Sequence, residues 1–214
     1  KYINVKKLLT FFPIHYQHWL TLIIIAIFAI VSHVLGSQFI GTMEFIHAQV
    51  NAGQYWRLLT HALWHTNTNH LLLNLAGLAL LWALHGEHYR AWNIAGLLIF
   101  CSLMSALGVW YLSPHIDYYV GLSAALHGLF AFGAVRDVQH KRFSGWLLLG
   151  GLAIKLYLEQ HQTTDTTAAL INATVAYDAH IYGAIAGVCY AVGYWLFSFF
   201  QQTSPDTVQS PRTE

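Results

Sequence analysis

Charged side chains are scarce in this sequence: only 9% of its 214 residues are Asp, Glu, Lys or Arg, and the formal net charge is +1. Proteins that bind nucleic acid need a clustered basic surface, and the few Lys and Arg residues form none, so this class of partner is disfavoured. Cysteine is equally rare. Cys101 and Cys189 both lie in apolar runs, where a buried thiol behaves as a small hydrophobe, so no disulfide framework is predicted.

Apolar residues, in contrast, make up 56% of the chain, and the mean hydropathy of +0.46 is too high for a soluble domain of this length. Six runs are long enough, or nearly so, to cross ~30 Å of hydrocarbon as helices. They cover residues 19–35, 70–84, 92–112, 123–138, 146–158 and 180–200. The sequence therefore predicts an all-α polytopic membrane protein with six transmembrane helices, one domain over residues 1–200 and a polar, unfolded tail over residues 201–214.

The basic residues predict the orientation of these spans. Arg57 falls on one side of a six-span arrangement and Lys155 falls within the fifth span. The others share the opposite side: Lys1, Lys6, Lys7, Arg90, Arg136, Lys141, Arg142 and Arg212. Because Lys and Arg collect in cytoplasmic loops, both termini are expected in the cytoplasm. The first run lacks the usual small-residue cleavage site and is expected to remain as an uncleaved span.

Ser123 stands at the start of the fourth run, two residues after Gly121. A glycine there allows a tight turn before the helix, and the first amides of a helix offer free donors to an anion. This run is short and is expected to begin below the membrane surface, where irregular backbone must border protein or a water-filled cavity. Such a serine is well placed to attack a carbonyl, although serine is also a common helix N-cap.

His180 opens the last run and is followed by Gly183 and Gly187 near the same helical face. The Gly-x-x-x-Gly spacing permits close helix packing, which could bring the imidazole against a serine of a neighbouring helix. An ionisable residue in a span favours a functional role. A core histidine bonded to a backbone carbonyl is the alternative interpretation.

His70 and Asn74 are four residues apart in the second run and share a face of a leucine-rich helix. A pair of polar side chains in this position could donate hydrogen bonds to an oxyanion. His61 and His65 precede the pair with the same spacing. These two histidines fall near the interface, where bonds to loop carbonyls are an equally simple explanation.

Together these motifs resemble the rhomboid family of intramembrane serine proteases. The family pattern of Trp-Arg followed by histidines, Gly-x-Ser, and Ala-His-x-x-Gly-x-x-x-Gly is matched over roughly residues 54–187 by the following residues: Trp56, Arg57, His61, His65, His70, Asn74, Gly121, Ser123, Ala179, His180, Gly183 and Gly187. The resemblance implies Ser123 as nucleophile and His180 as base. It also implies that His70, Asn74 and the Ser123 amide surround the oxyanion.

Two positions depart from the common family pattern. Ala124 stands where a second glycine usually follows the serine, and His127 replaces an aromatic residue, commonly tyrosine, that stacks on the catalytic histidine. The Leu126–Gly128 segment resembles the rhombosortase branch. That likeness implies a bacterial inner-membrane enzyme whose site opens to the periplasm and which trims Gly-rich C-terminal sorting signals from membrane-anchored proteins. A general rhomboid with other transmembrane substrates is the alternative.

The predicted chemistry is acyl transfer by a Ser123–His180 dyad. No carboxylate clearly orients the histidine, because Asp178 lies two residues away and points to another helical face. His127 is a competing base, since it lies one turn after Ser123 on the same helix.

Two other functions fit parts of the sequence. Fourteen histidines could bind haem or a transition metal, although no His-Glu-x-x-His motif is present. A rhomboid relative that binds helices without cutting them is the other possibility, and the presence of both Ser123 and His180 disfavours it. The preferred interpretation requires no metal and no cofactor.

Overall fold

The computed structural model describes residues 12–161 and 166–203. Six long helices lie within these residues: α1 (Leu20–Met43), α2 (Thr68–His85), α3 (Ala91–Leu112), α4 (Ser123–Gln139), α5 (Phe143–His161) and α6 (Tyr177–Thr203). Each one corresponds to a predicted apolar run, so the described residues are mostly helical, although a short strand pair shows that they are not entirely so. The basic residues Lys1, Lys6 and Lys7, and the predicted tail from residue 204 onward, lie outside the described residues.

Three helices continue at least three residues beyond the C-terminal ends of their predicted apolar runs. Helix α1 ends at Met43 rather than at residue 35, α5 ends at His161 rather than at residue 158, and α6 continues through residues 201–203, which had been assigned to the tail. Hydropathy falls at these ends, but no proline interrupts the backbone, so the hydrogen-bonded ladder continues. In α1 the last turn is closed by the Glu44 amide, which donates to the Ile40 carbonyl at 2.8 Å.

The connections contain structure that the polar composition did not reveal. A two-residue strand, β1 (Phe45–Ile46), pairs in antiparallel fashion with β2 (Tyr118–Tyr119), so that Phe45 lies opposite Tyr119. Short helical turns occupy Tyr16–His18, His47–Asn51, Arg57–Thr60, His61–Leu63, Gly86–His88 and Thr166–Ile171. Elements this short carry no periodic signal. The strand pair joins the α1–α2 connection to the segment just before Ser123.

Arg57 holds the α1–α2 connection in place. Its buried guanidinium donates to the carbonyls of Glu44 at 2.6 Å and Gly41 at 2.9 Å, and to Gln54 Oε1 at 2.8 Å. A buried charge is tolerated only when its donors are satisfied in this way. This arginine is therefore an anchor for the connection that leads into α2.

Helices α4 and α6 pack backbone against backbone. A Cβ atom on Gly187 would lie 2.0 Å from the Gly128 carbonyl oxygen, and one on Gly183 would lie 2.0 Å from the Ala124 carbonyl oxygen. Only glycine permits this approach. The close packing predicted from Gly183 and Gly187 is confirmed, and it sets the separation of Ser123 and His180.

Helix α5 packs much more loosely. Only Gly145 and Leu152 are buried along its length. Polar contacts made by Lys155 and Glu159 attach its last turns to α4 and α6. The position of this helix near Ser123 therefore depends on a few side-chain contacts.

By length and composition, two helices among the described residues can span a membrane, Ala91–Leu112 and Tyr177–Gln201, and a shorter apolar stretch covers Leu20–Gly36. Large apolar side chains such as Trp92 and Phe143 are exposed, 90% and 73% respectively, as expected for surfaces that face lipid. The six-span count and the cytoplasmic termini remain predictions.

Candidate active site

The backbone turns sharply just before α4. Gly121 has φ +112°, and its amide donates to the His61 carbonyl at 3.0 Å. A Cβ atom here would lie 2.6 Å from the His70 ring. Glycine is therefore required for both conformation and space. Leu122, rather than Ser123, is the residue that caps the helix, so the N-cap interpretation of Ser123 is wrong.

Ser123 and His180 meet where the first turns of α4 and α6 converge. His180 Nε2 lies 3.0 Å from Ser123 Oγ, and the histidine is only 4% exposed. This is the separation of a hydrogen bond between a nucleophile and its base. The predicted juxtaposition of the two side chains is confirmed as geometry.

Glu159 lies against the other ring nitrogen of His180, with its Oε2 3.1 Å from Nδ1. The prediction that no carboxylate orients the histidine is therefore wrong. Glu159 lies one residue beyond the predicted apolar run, which ends at residue 158, whereas α5 continues through His161. Lys155 and Glu159 are four residues apart, and such an ionisable pair at the end of an apolar run could have signalled a site.

Asp178 takes no part in this contact. It accepts a hydrogen bond from Ser113 Oγ and lies 3.5 Å from His115 Nε2. The sequence-based expectation that it points away from His180 is confirmed.

His127 stacks on His180, with ring centroids 4.1 Å apart and planes inclined by 16°. Its Nδ1 lies 2.8 Å from the Ser123 backbone carbonyl, and its Nε2 lies 2.8 Å from Lys155 Nζ. The ring contacts the serine carbonyl rather than the hydroxyl. This geometry argues against His127 as the base and gives it the stacking position of the family's aromatic residue.

His70 and Asn74 lie on the face of α2 that looks toward Gly121. A Cβ on Gly121 would lie 3.5 Å from Asn74 Nδ2, and this buried amide nitrogen has no hydrogen-bond partner among the described residues. His70 Nδ1 pairs with Thr66 Oγ1 at 3.1 Å, and a Cβ on Gly121 would lie 2.6 Å from its Nε2. A buried donor without a partner is costly unless a ligand completes it.

His61 and His65 pack behind the site and do not contact Ser123 or His180 among the described residues. The His61 ring packs on Tyr119 at 4.4 Å, and the His65 ring packs edge-on against His70 at 5.0 Å. Burial lowers the pKa of His61 to about 4 and that of His65 to about 3. Both are therefore neutral near pH 7.

Ser123 opens into a groove of about 440 Å³. Side chains of α2, α4, α5 and α6 line it, among them His70, Asn74, Ser123, His127, Lys155, Glu159 and His180. A smaller cavity of about 90 Å³ adjoins Ser123 and His70 on the side of Tyr118. The smaller space is large enough for ordered water.

Two clusters of side chains in the described residues bring together nitrogen and oxygen atoms that could hold a metal ion, within 4.8 Å of one another. One comprises His127, Glu159 and His180; the other comprises Glu87, His88 and Asp137. A side-chain cation already contacts each cluster, Lys155 in the first and Arg142 in the second. The expectation that no metal is needed stays a prediction.

A family model described as the rhomboid domain matches residues 52–197, more than half of the chain. The chain belongs to the rhomboid family. Rhomboids are integral membrane proteins and intramembrane serine proteases that act on membrane-protein substrates within the bilayer. No curated protein matches the chain. The family resemblance is confirmed, whereas the rhombosortase branch remains a prediction.

Ala124 stands at the position that departs from the Gly-x-Ser-Gly pattern. The alanine is fully buried, and its backbone faces Gly183 across the α4–α6 interface. The missing Cβ on Gly183 leaves room for this backbone contact. Helix α4 begins at Ser123, so the amides that follow the serine lie in its first turn.

Proposed function

We propose that this rhomboid is an intramembrane serine endopeptidase in which Ser123 is the nucleophile and His180 is the general base. The observation that carries the proposal is the 3.0 Å separation between Ser123 Oγ and His180 Nε2, in a site that opens to a groove. His180 acts as a base only when its ring is neutral.

The reaction is acyl transfer. The Ser123 proton passes to His180 Nε2 as Oγ bonds to the carbonyl carbon of the scissile peptide, and the carbonyl oxygen becomes an oxyanion. As the C–N bond breaks, Nε2 gives that proton to the leaving amine. Water then gives a proton to His180 Nε2 as its oxygen bonds to the carbonyl carbon of the acyl-enzyme. As the ester C–O bond breaks, Nε2 returns that proton to Ser123 Oγ. The 90 Å³ cavity beside Ser123 offers space for this water.

The oxyanion is expected to face His70, Asn74 and the amide of Ser123. The amides in the first turn of α4 have no partner within the helix, and they point their dipoles at negative charge. The Asn74 amide nitrogen, which lacks a partner among the described residues, is a natural third donor. Donors of this kind, fixed before the reaction, are typically worth ~10²–10³ in rate each.

The substrate class we propose is that of a rhombosortase: membrane-anchored proteins with a Gly-rich C-terminal sorting signal, a transmembrane helix and basic residues. The Leu126–His127–Gly128 segment supports this branch. A Gly-rich segment unwinds at low cost and can extend into the groove. The enzyme would reside in a bacterial inner membrane, with six spans, cytoplasmic termini and a site open to the periplasm. A general rhomboid with other transmembrane substrates is the alternative.

The test uses the purified full chain in lipid vesicles with two matched substrates. They share one transmembrane anchor and differ only in a Gly-rich or an Ala/Leu-rich segment before it. We expect cleavage of the Gly-rich substrate by the parent protein and by Ser198→Ala, but not by Ser123→Ala. Ser198 is the matched control because it is a helix serine whose hydroxyl donates to the Tyr194 carbonyl. Cleavage by Ser123→Ala would contradict the proposed nucleophile. Equal cleavage of both substrates would contradict the rhombosortase branch alone.

A further inference from the structure

We infer that Glu159 of α5 is a positioning residue for His180, so that the site is a Ser123–His180–Glu159 triad rather than a dyad. This inference rests on the proposed function. Its basis is that the two nitrogens of the His180 ring have different partners, Ser123 Oγ at 3.0 Å and Glu159 Oε2 at 3.1 Å. The carboxylate comes from a helix that contributes neither the nucleophile nor the base.

The role of Glu159 follows from the protons that His180 must hold. To accept the Ser123 proton, Nε2 needs a free lone pair, so the neutral ring must carry its hydrogen on Nδ1. Glu159 Oε2 lies where it can accept that hydrogen. A carboxylate in this place selects the productive tautomer, fixes the ring orientation and stabilises the imidazolium that forms during the reaction.

His127 and Lys155 extend the network in one consistent direction. The Ser123 carbonyl can only accept, so His127 Nδ1 carries a hydrogen and its Nε2 is left to accept from the Lys155 ammonium. Lys155 also donates to Glu159 Oε1, which leaves Oε2 for His180. The stacked rings of His127 and His180 close the loop. Each of these contacts pairs a donor with an acceptor, and Glu159 is only 12% exposed, so its carboxylate is held in place.

The competing explanation is that Lys155 and Glu159 only attach α5 to the bundle. One observation supports this explanation: apart from Gly145 and Leu152, the residues of α5 are not buried. A merely structural attachment would affect folding and the position of α5. It would not change how the reaction depends on pH.

The charges around His180 distinguish a positioning role of Glu159 from a purely structural one. Among the described residues, the titratable and charged groups that face His180 are His127 on α4, Lys155 and Glu159 on α5, Tyr177 on α6 and His70 on α2. Removal of the negative charge at Glu159 takes stabilisation from the imidazolium. Removal of the positive charge at Lys155 does the reverse. The two changes must therefore move the acid limb of the rate profile in opposite directions.

The experiment compares Glu159→Gln with Lys155→Gln in the full chain, in vesicles, by kcat and KM against pH on the substrate that the parent cleaves. For Glu159→Gln we expect kcat to fall by about 10²–10⁴-fold, as when the orienting carboxylate of a serine protease is replaced by an amide. KM should change little, and the acid limb should move to lower pH. Lys155→Gln should lose much less and move the acid limb to higher pH. Glu87→Gln, at the other end of the bundle, is the matched control and should match the parent.

Three outcomes would overturn the inference: parent-like kcat with an unshifted profile in Glu159→Gln, acid limbs that move in the same direction, or a loss confined to KM. If Glu159→Gln does not fold, Lys155→Gln decides, and an unshifted acid limb in that variant overturns the inference. Ser123→Ala is measured alongside. Cleavage by that variant would refute the proposed function itself, whereas an inactive Ser123→Ala with a fully active Glu159→Gln would refute only the triad.

Discussion

The two ends of helix α4 carry similar side chains in different arrangements. At its start, His127 and His180 meet Glu159 and Lys155. At its end, His85 and His88 meet Asp137, and Arg142 joins Asp137 to Glu87. Both clusters combine imidazoles, carboxylates and one basic side chain.

The difference lies in where each network terminates. At the start of α4 the chain of contacts ends on a hydroxyl, Ser123 Oγ, that faces the 440 Å³ groove. At the other end Asp137 is engaged by His88 at 2.7 Å and by Arg142 at 3.2 Å, and His85 is fully buried beside it. The comparison teaches that histidines and carboxylates in a bundle make a reactive site only where a nucleophile and an open space complete them.

The largest expected effect separates the two clusters by their histidines. His180→Ala removes the base and should lower kcat/KM by at least about 10⁴-fold, as in other serine hydrolases that lose their histidine. His85→Ala should leave kcat/KM per folded molecule close to that of the parent, since this ring packs against Phe130 at the edge of the groove and has no described contact with Ser123, His180 or Glu159. Cleavage rates normalised to folded protein check this. Equal losses in both variants would erase the distinction between the clusters.

The glycine interface provides the next test, because it positions one cluster and not the other. Gly187→Ala would place a methyl group 2.0 Å from the Gly128 carbonyl oxygen, and a backbone atom cannot yield as a side chain can. We expect a loss of stability at or above the ~1–3 kcal/mol typical of overpacking, together with lost activity.

Gly193→Ala is the matched control on the same helix, since a Cβ there meets no atom within 4 Å. Thermal unfolding of both variants in the same detergent measures the effect. If Gly187→Ala is as stable as Gly193→Ala, helices α4 and α6 do not pack as described.

A smaller effect is expected at His127, which stacks on His180 and supports the network without touching the serine hydroxyl. Aromatic stacking contributes roughly 0.5–1.5 kcal/mol. His127→Phe keeps the stack and should retain more activity than His127→Ala, which loses stacking and polar contacts together. Steady-state kinetics rank the two variants. Complete inactivity of His127→Phe beside a normal His180→Ala would make His127 the base.

The smallest effect concerns the pH dependence of stability at the other end of α4. The hydrogen bond from Arg142 lowers the pKa of Glu87 below its usual value. A depressed carboxyl pKa contributes stability above the unfolded pKa of 4.5, and this contribution is lost as the pH falls through the folded pKa.

Glu87→Gln should remove that dependence and cost at most about 1 kcal/mol near pH 7, since the pair is half exposed. Unfolding curves of the parent and the variant from pH 7 down to pH 3 measure it. A variant that loses stability in parallel with the parent over this range would show that Glu87 contributes no pH-dependent stability.

Much of the candidate site could be predicted because short sequence motifs determine the local structure around it. Gly121 and Ser123 mark a turn into a helix, and Gly183 and Gly187 mark a close helix contact on the face that carries His180. These signals act within one or two turns. They led, without knowledge of the rest of the fold, to two side chains that lie 3.0 Å apart in the structure.

Glu159 shows what such patterns miss. Its contact with His180 depends on the orientation of α5 against α6, which no periodicity encodes, and the predicted apolar run ends one residue before it. The strand pair of Phe45 with Tyr119 was missed because strands of two residues give no alternating pattern. Arg57 was recognised as part of a motif, but its partners, two backbone carbonyls and Gln54, follow only from the folded connection.

The most direct test of the central claim is to label the purified protein with a fluorophosphonate and to locate the adduct by mass spectrometry. A serine activated by the neighbouring imidazole should carry the adduct on Ser123 in the parent and in His85→Ala, and labelling should be lost in Ser123→Ala and His180→Ala. An adduct on another residue, or undiminished labelling of Ser123 when His180 is replaced, would contradict the account.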